Sequence, residues 1–437
     1  MSINPEFRRN LWLELTPQRL IGMPLVLGAL FLLAFTIDGK SFGENVANTS
    51  LLLFGLLSIV WGTKLSGESV VAEIRDRTWD GQRMSVIGPW SMTLGKLFGS
   101  TVFPWYGSLI CVMVYALAVP LKSGADIFKT ALVMVGAGLA GQTVALLASL
   151  LSIRRDRRYS RSQSASFSMM GIMAAIFVLT LGFRKYGQVA WFGDSFRFLD
   201  FTLILVALLL FWVFMGVHQL MRFELKMKTN PWVWPGFVLF LMIFAAGFSF
   251  NTTDGISTVS LSSSLLSACL VGVALVYVAA LAEPKDPIRF RRLICAWNTK
   301  DWRFLLQGCP SWIMILPLLF AVAVILFVFP PVDAFHTSGN FRIAMVACLF
   351  FILRDLALLL FFNLSKKQKR ADMLAMLWLV MLWLVIPFIL SGLGFVHLAG
   401  FFQPRLETLS LTILVAAPCE MLLAAWLTAR RWKANYG

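Results

Sequence analysis

The chain has 437 residues, 59% of them hydrophobic and only 14% charged, whereas a soluble domain is about 25% charged. That balance excludes an ordinary soluble globular protein and an intrinsically disordered one. The net charge of +16 does not point to nucleic acid, because most of the basic residues sit in alternate polar loops between apolar runs.

Residues 4–19 are amphipathic: Phe7, Leu11, Leu15 and roughly Trp12 share one face, with Arg8, Arg9 and Glu14 elsewhere. This predicts a helix lying in the membrane interface ahead of the first span, the alternative being a plain polar tail. A cleavable signal peptide is not expected, since 1–19 is polar and holds Glu6, Arg8, Arg9 and Glu14. Twelve apolar runs come next, at 20–37, 50–66, 97–119, 127–152, 167–183, 200–222, 232–250, 260–282, 312–330, 341–362, 373–395 and 408–429. A bilayer core needs about 20 apolar residues of helix, and backbone groups cannot be left bare in lipid. The expected fold is therefore all-α and polytopic, with twelve transmembrane helices.

With the N-terminus in the cytoplasm, every alternate loop is basic, including Arg154-Arg155-Asp156-Arg157-Arg158 and Lys366-Lys367-Gln368-Lys369-Arg370. This bias puts both termini in the cytoplasm. A bacterial inner membrane is the expected location, with some attraction to anionic membrane lipids.

The loop at 72–96 is the most informative stretch. It carries Glu73, Arg75, Asp76, Arg77, Asp80, Arg83 and Lys96 and is in contact with water, yet it is built to fold. Val70, Val71 and Ile74 can share one face of a helix leaving the membrane. Asp80-Gly81 is a turn signal, and Thr78 or Asp80 can cap a short helix after it. Residues 82–87 are expected to form that helix, presenting Arg83 and Ser85 beside Met84 and Val86. Gly88-Pro89 ends that piece and starts the next helix. A passive connector needs only a few flexible residues, so this loop is suited to receiving force or docking a partner. Gly88 and Gly95-Lys96 superficially suggest a P-loop. However, six residues rather than four separate Gly88 from Gly95, Leu97 stands where Ser or Thr is needed, and no buried strand precedes them.

In this order, Glu73, Thr78, Pro89 and Gly95-Lys96 resemble the cytoplasmic loop between the second and third spans of type-2 ABC transporter permeases. Arg77 stands where that family usually has Gly, and Pro89 comes later than usual. The resemblance implies a coupling helix that inserts into a separate ATPase subunit. It makes Glu73, Arg77, Thr78, Asp80, Arg83 and Ser85 the ATPase-coupling residues. An amphipathic elbow such as 4–19 also fits the family.

The chain repeats after about 210 residues, which makes two parallel six-span halves, 1–222 and 223–437. Residues 222–235 are similar to 9–24: both are basic, contain Glu-Leu, then Thr and Pro. Ala282-Glu283 matches Ala72-Glu73, and a basic loop comes after each. Each half also has a basic connection between its fourth and fifth spans and a basic tail. The permease family is usually dimeric with six spans per chain, so this chain resembles two such subunits fused. The second coupling loop, 283–309, then offers Glu283, Arg289, Arg292 and Trp297. Its Pro284 and Pro287 interrupt the exit helix. An interfacial helix with Trp297 and Trp302 at the lipid headgroups is the competing expectation. Outer connections are all short, which excludes a large extracellular domain. Short amphipathic segments at 183–198 and 396–406 correspond to the family's re-entrant helices between the fifth and sixth spans.

Four polar residues stand within spans. Arg354 and Glu420 lie at matching depths, about 14 Å from the inner ends of their spans. They are expected to pair between the tenth and twelfth helices, with Asp355 pointing elsewhere. Gln142 holds the matching depth in the first half. A structural ion pair and a substrate-cavity role are both open. No catalytic or metal-ligating constellation is expected around His218, His336, His397 or the six cysteines, and 260–264 is expected to be helix packing. The expected function is the permease subunit of an ABC exporter, with ATP and Mg held by partner ABC ATPase subunits on the cytoplasmic face. Its poverty of intramembrane polar groups favours a lipidic or amphiphilic substrate. A secondary transporter of two parallel six-span halves is one alternative, and a non-transporting membrane scaffold for an envelope complex is another.

Overall fold

The computed structural model describes residues 4–37, 43–85, 87–119, 124–155, 161–184, 187–249, 261–283, 285–329, 338–365, 371–403 and 413–436. Val86, Pro284, Ser260, His336 and the basic runs 156–160 and 366–370 lie outside them. The chain clusters into two units, 1–189 with 195–230, and 190–194 with 231–437.

The first unit opens with α1 (Pro5–Glu14), capped by the Asn4 side chain accepting from the Glu6 N–H. The expected helix over 4–19 is shorter: it stops at Glu14, and Pro17 begins α2 (Pro17–Ile37), because proline is favoured in the first turn of a helix and disfavoured inside it. The buried residue of α1 is Glu6, while Trp12 and Leu13 are exposed. Then come α3 (Glu44–Phe54), a π-turn (Gly55–Trp61) and α4 (Gly62–Arg75), together one apolar rod of 32 residues. The polar loop holds α5 (Trp79–Arg83). Next, α6 (Pro89–Ser100) and α7 (Val102–Ala118) meet at a 60° bend. Pro104 has no N–H to offer the Ser100 carbonyl, and Thr101 Oγ1 donates to the Leu97 carbonyl at 2.6 Å, so the helix turns there.

The long α8 (Gly124–Arg155) is the most buried helix of this unit, with α4, α9 (Arg161–Gly182) and α10 (Phe198–Glu224) against it. The close contact with α9 needs two glycines. A Cβ added at Gly141 would stand 2.9 Å from the Gly171 carbonyl oxygen, closer than backbone can accommodate. The segment expected to be a short amphipathic helix near 183–198 is instead a hairpin, β1 (Gln188–Trp191) and β2 (Asp194–Arg197). Phe192 and Gly193 both have positive φ, 50° and 84°, the backbone of a two-residue turn whose twist matches paired strands.

The second unit holds α11 (Val233–Phe248), α12 (Leu261–Ala282), α13 (Pro287–Asn298), α14 (Trp302–Gly308), α15 (Ser311–Val328) and α16 (Ser338–Asn363). After these, α17 (Ala371–Val380) runs through a π-turn (Met381–Val385) into α18 (Ile386–Gly392). The π-turn sits where Pro387 withholds an N–H from the Trp383 carbonyl. The short α19 (Val396–Ala399) and α20 (Ile413–Tyr436) close the unit. Here α16 packs along α20, and α12 lies between α11 and α15.

The described residues are all-α apart from the hairpin, and ten of their helices are long and apolar enough to cross a membrane. The bent pair α6–α7 would make an eleventh. The remaining expected span, 232–250, is the 16-residue α11, shorter than the usual spanning length.

Replacing Gly171 with Leu forces α8 and α9 apart. The expected cost is about 1–3 kcal/mol, read as a lower unfolding midpoint in detergent micelles, with Gly22→Leu, which meets open space, as the neutral control.

Candidate functional site

The polar loop of the first unit is organised by a buried ammonium. Lys96, on α6, is 2% exposed. Its Nζ donates to Glu6 Oε1 at 2.8 Å and also to Glu73 Oε2. Arg9 Nη2 bridges the same two carboxylates, 2.9 Å from Glu6 and 2.8 Å from Glu73. Gln82 Nε2 donates to Glu73 Oε1 at 2.6 Å. Two anions and two cations therefore balance, and they join α1, the end of α4, the start of the loop and α6. Buried charges persist only when paired and hydrogen-bonded in this way.

The short helix differs from its expected place at 82–87. It runs from Trp79 to Arg83, because Trp79 inserts beneath it: 4% exposed, packed with Val70, Val71, Met92 and Leu97. Thr78 sits at the N-cap without a side-chain cap; its hydroxyl donates back to the Glu73 carbonyl at 3.3 Å. Asp80 is exposed and takes Arg83 Nη1 at 3.3 Å. Ser85 Oγ donates to the Gln82 carbonyl at 2.6 Å. Arg77 has φ of 58° and closes α4: the Thr78 N–H reaches the Glu73 carbonyl at 2.9 Å, and the Arg77 N–H reaches that of Ile74 at 3.2 Å. That left-handed closing position favours glycine, so Arg77 costs this chain some stability.

The second polar loop is built on one glutamate as well. Glu283 Oε1 accepts from Arg289 Nη1 at 2.6 Å, and its Oε2 accepts from the Ser311 N–H and hydroxyl, each at 2.8 Å. Arg289 also donates to the carbonyls of Gly308 and Cys309. The end of α12 is thereby tied to the start of α15 across the whole loop. Between them α13 and α14 are capped by Asp286 and Asp301. They expose Ile288, Ile294, Trp297, Trp302 and Phe304, with Trp297 and Trp302 edge to face at 5.8 Å. Arg292 is exposed, and with Ile288, Arg291, Cys295 and Phe304 it lines an open concavity of about 400 Å³. Burial pushes the nearby Cys309 thiol up from its ordinary pKa, whereas Cys295 is exposed.

Within the spans, Arg354 Nη1 meets Glu420 Oε2 at 2.6 Å, joining α16 to α20. Asp355, expected to point away from Arg354, does not: Arg354 Nε donates to its Oδ1 at 2.9 Å. The long arginine stem lets the guanidinium fold back along its own helix, over the Phe351 ring at 4.6 Å. Asp355 Oδ2 accepts from Tyr277 Oη at 2.7 Å and Trp383 Nε1 at 2.6 Å. In the first unit Gln142 is neutral, donating to the Ser58 carbonyl of the π-turn at 3.0 Å and accepting from Trp105 Nε1 at 2.8 Å. Sequence reasoning missed Glu6, Arg9, Trp79, Tyr277 and Trp383. Lys96 at the margin of an apolar run was the signal for a buried carboxylate partner, and Thr78-Trp79 in a polar loop was the signal for an anchor.

Among the described residues no group of three or more His, Cys, Asp or Glu could hold a metal ion. Fold and composition define a helical multi-pass membrane protein. No protein-family model, curated protein or solved structure matches the chain.

Lys96→Met leaves Glu6 and Glu73 with one cation, and the expected loss is about 3–5 kcal/mol of unfolding free energy. Adding Glu6→Gln should return part of it in a double-mutant cycle; strict additivity would show that the groups are not coupled. Arg77→Gly relieves the positive φ and should stabilise by about 1 kcal/mol, seen as a higher midpoint with unchanged helix content.

Proposed function

We propose that this chain is the membrane-spanning permease of an ATP-driven ABC exporter, working with separate ATPase subunits. The observation that carries the reading is the repeated build of the two polar loops. In each unit a glutamate at the end of the second long helix is bonded across the polar loop, Glu73 to Lys96 within α6 and Glu283 to Ser311 at the start of α15. A loop held rigidly at both ends transmits displacement to two helices at once, which a flexible connector cannot do. The first loop presents Asp80 on a short helix anchored by Trp79 and exposes Met84 and Ser85 just after it, while Arg83 is largely withdrawn, 17% exposed. The second presents Arg292 and Trp297. On this reading the two units are parallel six-span repeats in a bacterial inner membrane, with both loops and both termini cytoplasmic. ATP and Mg are bound by the partner. Export, rather than import, follows from the resemblance alone, and the apolar walls favour a lipidic or amphiphilic substrate.

One observation favours a second role for the second loop. Exposed Ile288, Ile294, Trp297, Trp302 and Phe304 beside Arg291 and Arg292 suit lipid headgroups as well as a protein groove.

The chain, expressed with an ATPase encoded beside it, should co-purify with that ATPase. Glu73→Lys, or shortening of 78–89, should abolish the association while the chain still inserts in the membrane. Retention of the ATPase by both variants, or failure of any ATPase to co-purify with the unaltered chain, overturns the reading.

A further inference from the structure

The two short helices of the second polar loop frame an open concavity of about 400 Å³. Ile288, Arg291, Arg292 and Cys295 line it from α13, and Phe304 lines it from α14. The four α13 residues are spaced i, i+3, i+4 and i+7, so they make one stripe of that helix. All of the lining residues are exposed. The inward stripe of α13 is a different one. Leu293 and Ala296 are buried on it, and Arg289 is held there by Glu283 and by the Gly308 and Cys309 carbonyls.

Arg291 and Arg292 have no ion pair among the described residues, because the neighbouring carboxylates are engaged elsewhere. Glu283 takes Arg289 and Ser311. Asp286 and Asp301 cap their helices, accepting from the N–H groups of Ile288 and Phe304. Asp372 takes Lys285. Residues 283–311 hold six basic side chains against three acidic ones, and two of the surplus cations share the hollow with Ile288 and Phe304. Its ligand therefore carries an anion and an apolar chain together. An acidic peptide or a free phosphate would meet the arginines and leave the apolar lining wet. A phospholipid meets both, and the planar guanidinium fork matches a pair of phosphate oxygens. Lipid is also close at hand. The loop joins two helices long and apolar enough to cross a membrane, α12 and α15, and Glu283 holds the end of one to the start of the other. Exposed Trp297 and Trp302 stand on the same loop, and indoles favour the headgroup level.

We propose that this hollow binds one anionic phospholipid of the surrounding bilayer. Its phosphate takes Arg291 and Arg292, and the upper part of one acyl chain lies against Ile288 and Phe304. This deepens the lipid-facing role of the second loop and rests on it.

The test uses the full chain in maltoside micelles without ATPase. Phosphatidylglycerol, phosphatidylcholine with the same acyl chains, and glycerol phosphate are titrated, and bound ligand is counted by native mass spectrometry. Phosphatidylglycerol should bind at least about tenfold more tightly than phosphatidylcholine, and glycerol phosphate should not bind. Arg291→Gln with Arg292→Gln should abolish the preference. Lys300→Gln with Arg303→Gln removes the same charge outside the hollow and should keep it. Equal affinity for the two lipids overturns the proposal. So does glycerol phosphate binding as tightly as phosphatidylglycerol, which would make the ligand a free phosphate, or an equal loss in the two double variants, which would make the attraction diffuse. A second measurement needs no variant. Cys295 lines the hollow and is exposed, so phosphatidylglycerol should slow its labelling by a soluble maleimide; an unchanged rate overturns the site. Slowing by both lipids alike removes the anionic site and keeps the lipid-facing role, whereas slowing by neither removes both. ATPase co-purification is read separately, so the permease reading stands or falls on its own.

Discussion

The first unit depends on keeping Lys96 charged in a place with almost no water. An ammonium 2% exposed is stable only where carboxylates reach it, and Glu6 and Glu73 come to it from two other elements. Their approach fixes how α1, the end of α4 and α6 lie against one another. Arg9 then neutralises the second anion from the solvent side. Four groups that would be ordinary at a surface thus become one structural unit, because each is desolvated by the others' host helices and none can leave without stranding a charge.

A related economy governs the second unit. Its polar loop hangs on Glu283, and its intramembrane cluster hangs on Arg354. Both use an arginine whose planar fork reaches several acceptors in fixed directions. Helices that pack beside the polar groups of both units are interrupted: at the π-turn Gly55–Trp61, at the bend at Thr101 ahead of Pro104, and at the π-turn ahead of Pro387. These breaks matter beyond shape. The freed or re-aimed groups nearby, the Ser58 carbonyl in one unit and the Trp383 indole in the other, are the ones that meet the buried polar side chains.

Membrane helices were legible because their signal is chemical and local: a run of about 20 apolar residues admits few other structures in lipid. The apolar runs therefore reappear as helices. Their number did not follow, since 232–250 shortens to α11 and 97–119 bends into α6 and α7. The hairpin at Gln188–Arg197 was missed because Phe192-Gly193 is a turn only once both residues take positive φ, which their identities permit without requiring. Arg77 was visible as a departure from a glycine position; the left-handed closing turn that explains it was not.

From its residues alone the protein is a basic, all-α, multi-pass chain with two informative polar loops and a few charges at membrane depth. Periodicity, length and charge placement decide those things, because each acts within one segment. The tertiary structure decided which charges meet. It brought Glu6 to Lys96 and Arg9 to Glu73 across tens of residues, drew Trp79 into the core and moved the short helix ahead of its expected place. It also turned Asp355 toward its neighbour and set Glu420 against Arg354. Ion pairing between distant segments depends on the packing of whole helices. Sequence spacing constrains that packing only within a turn or two.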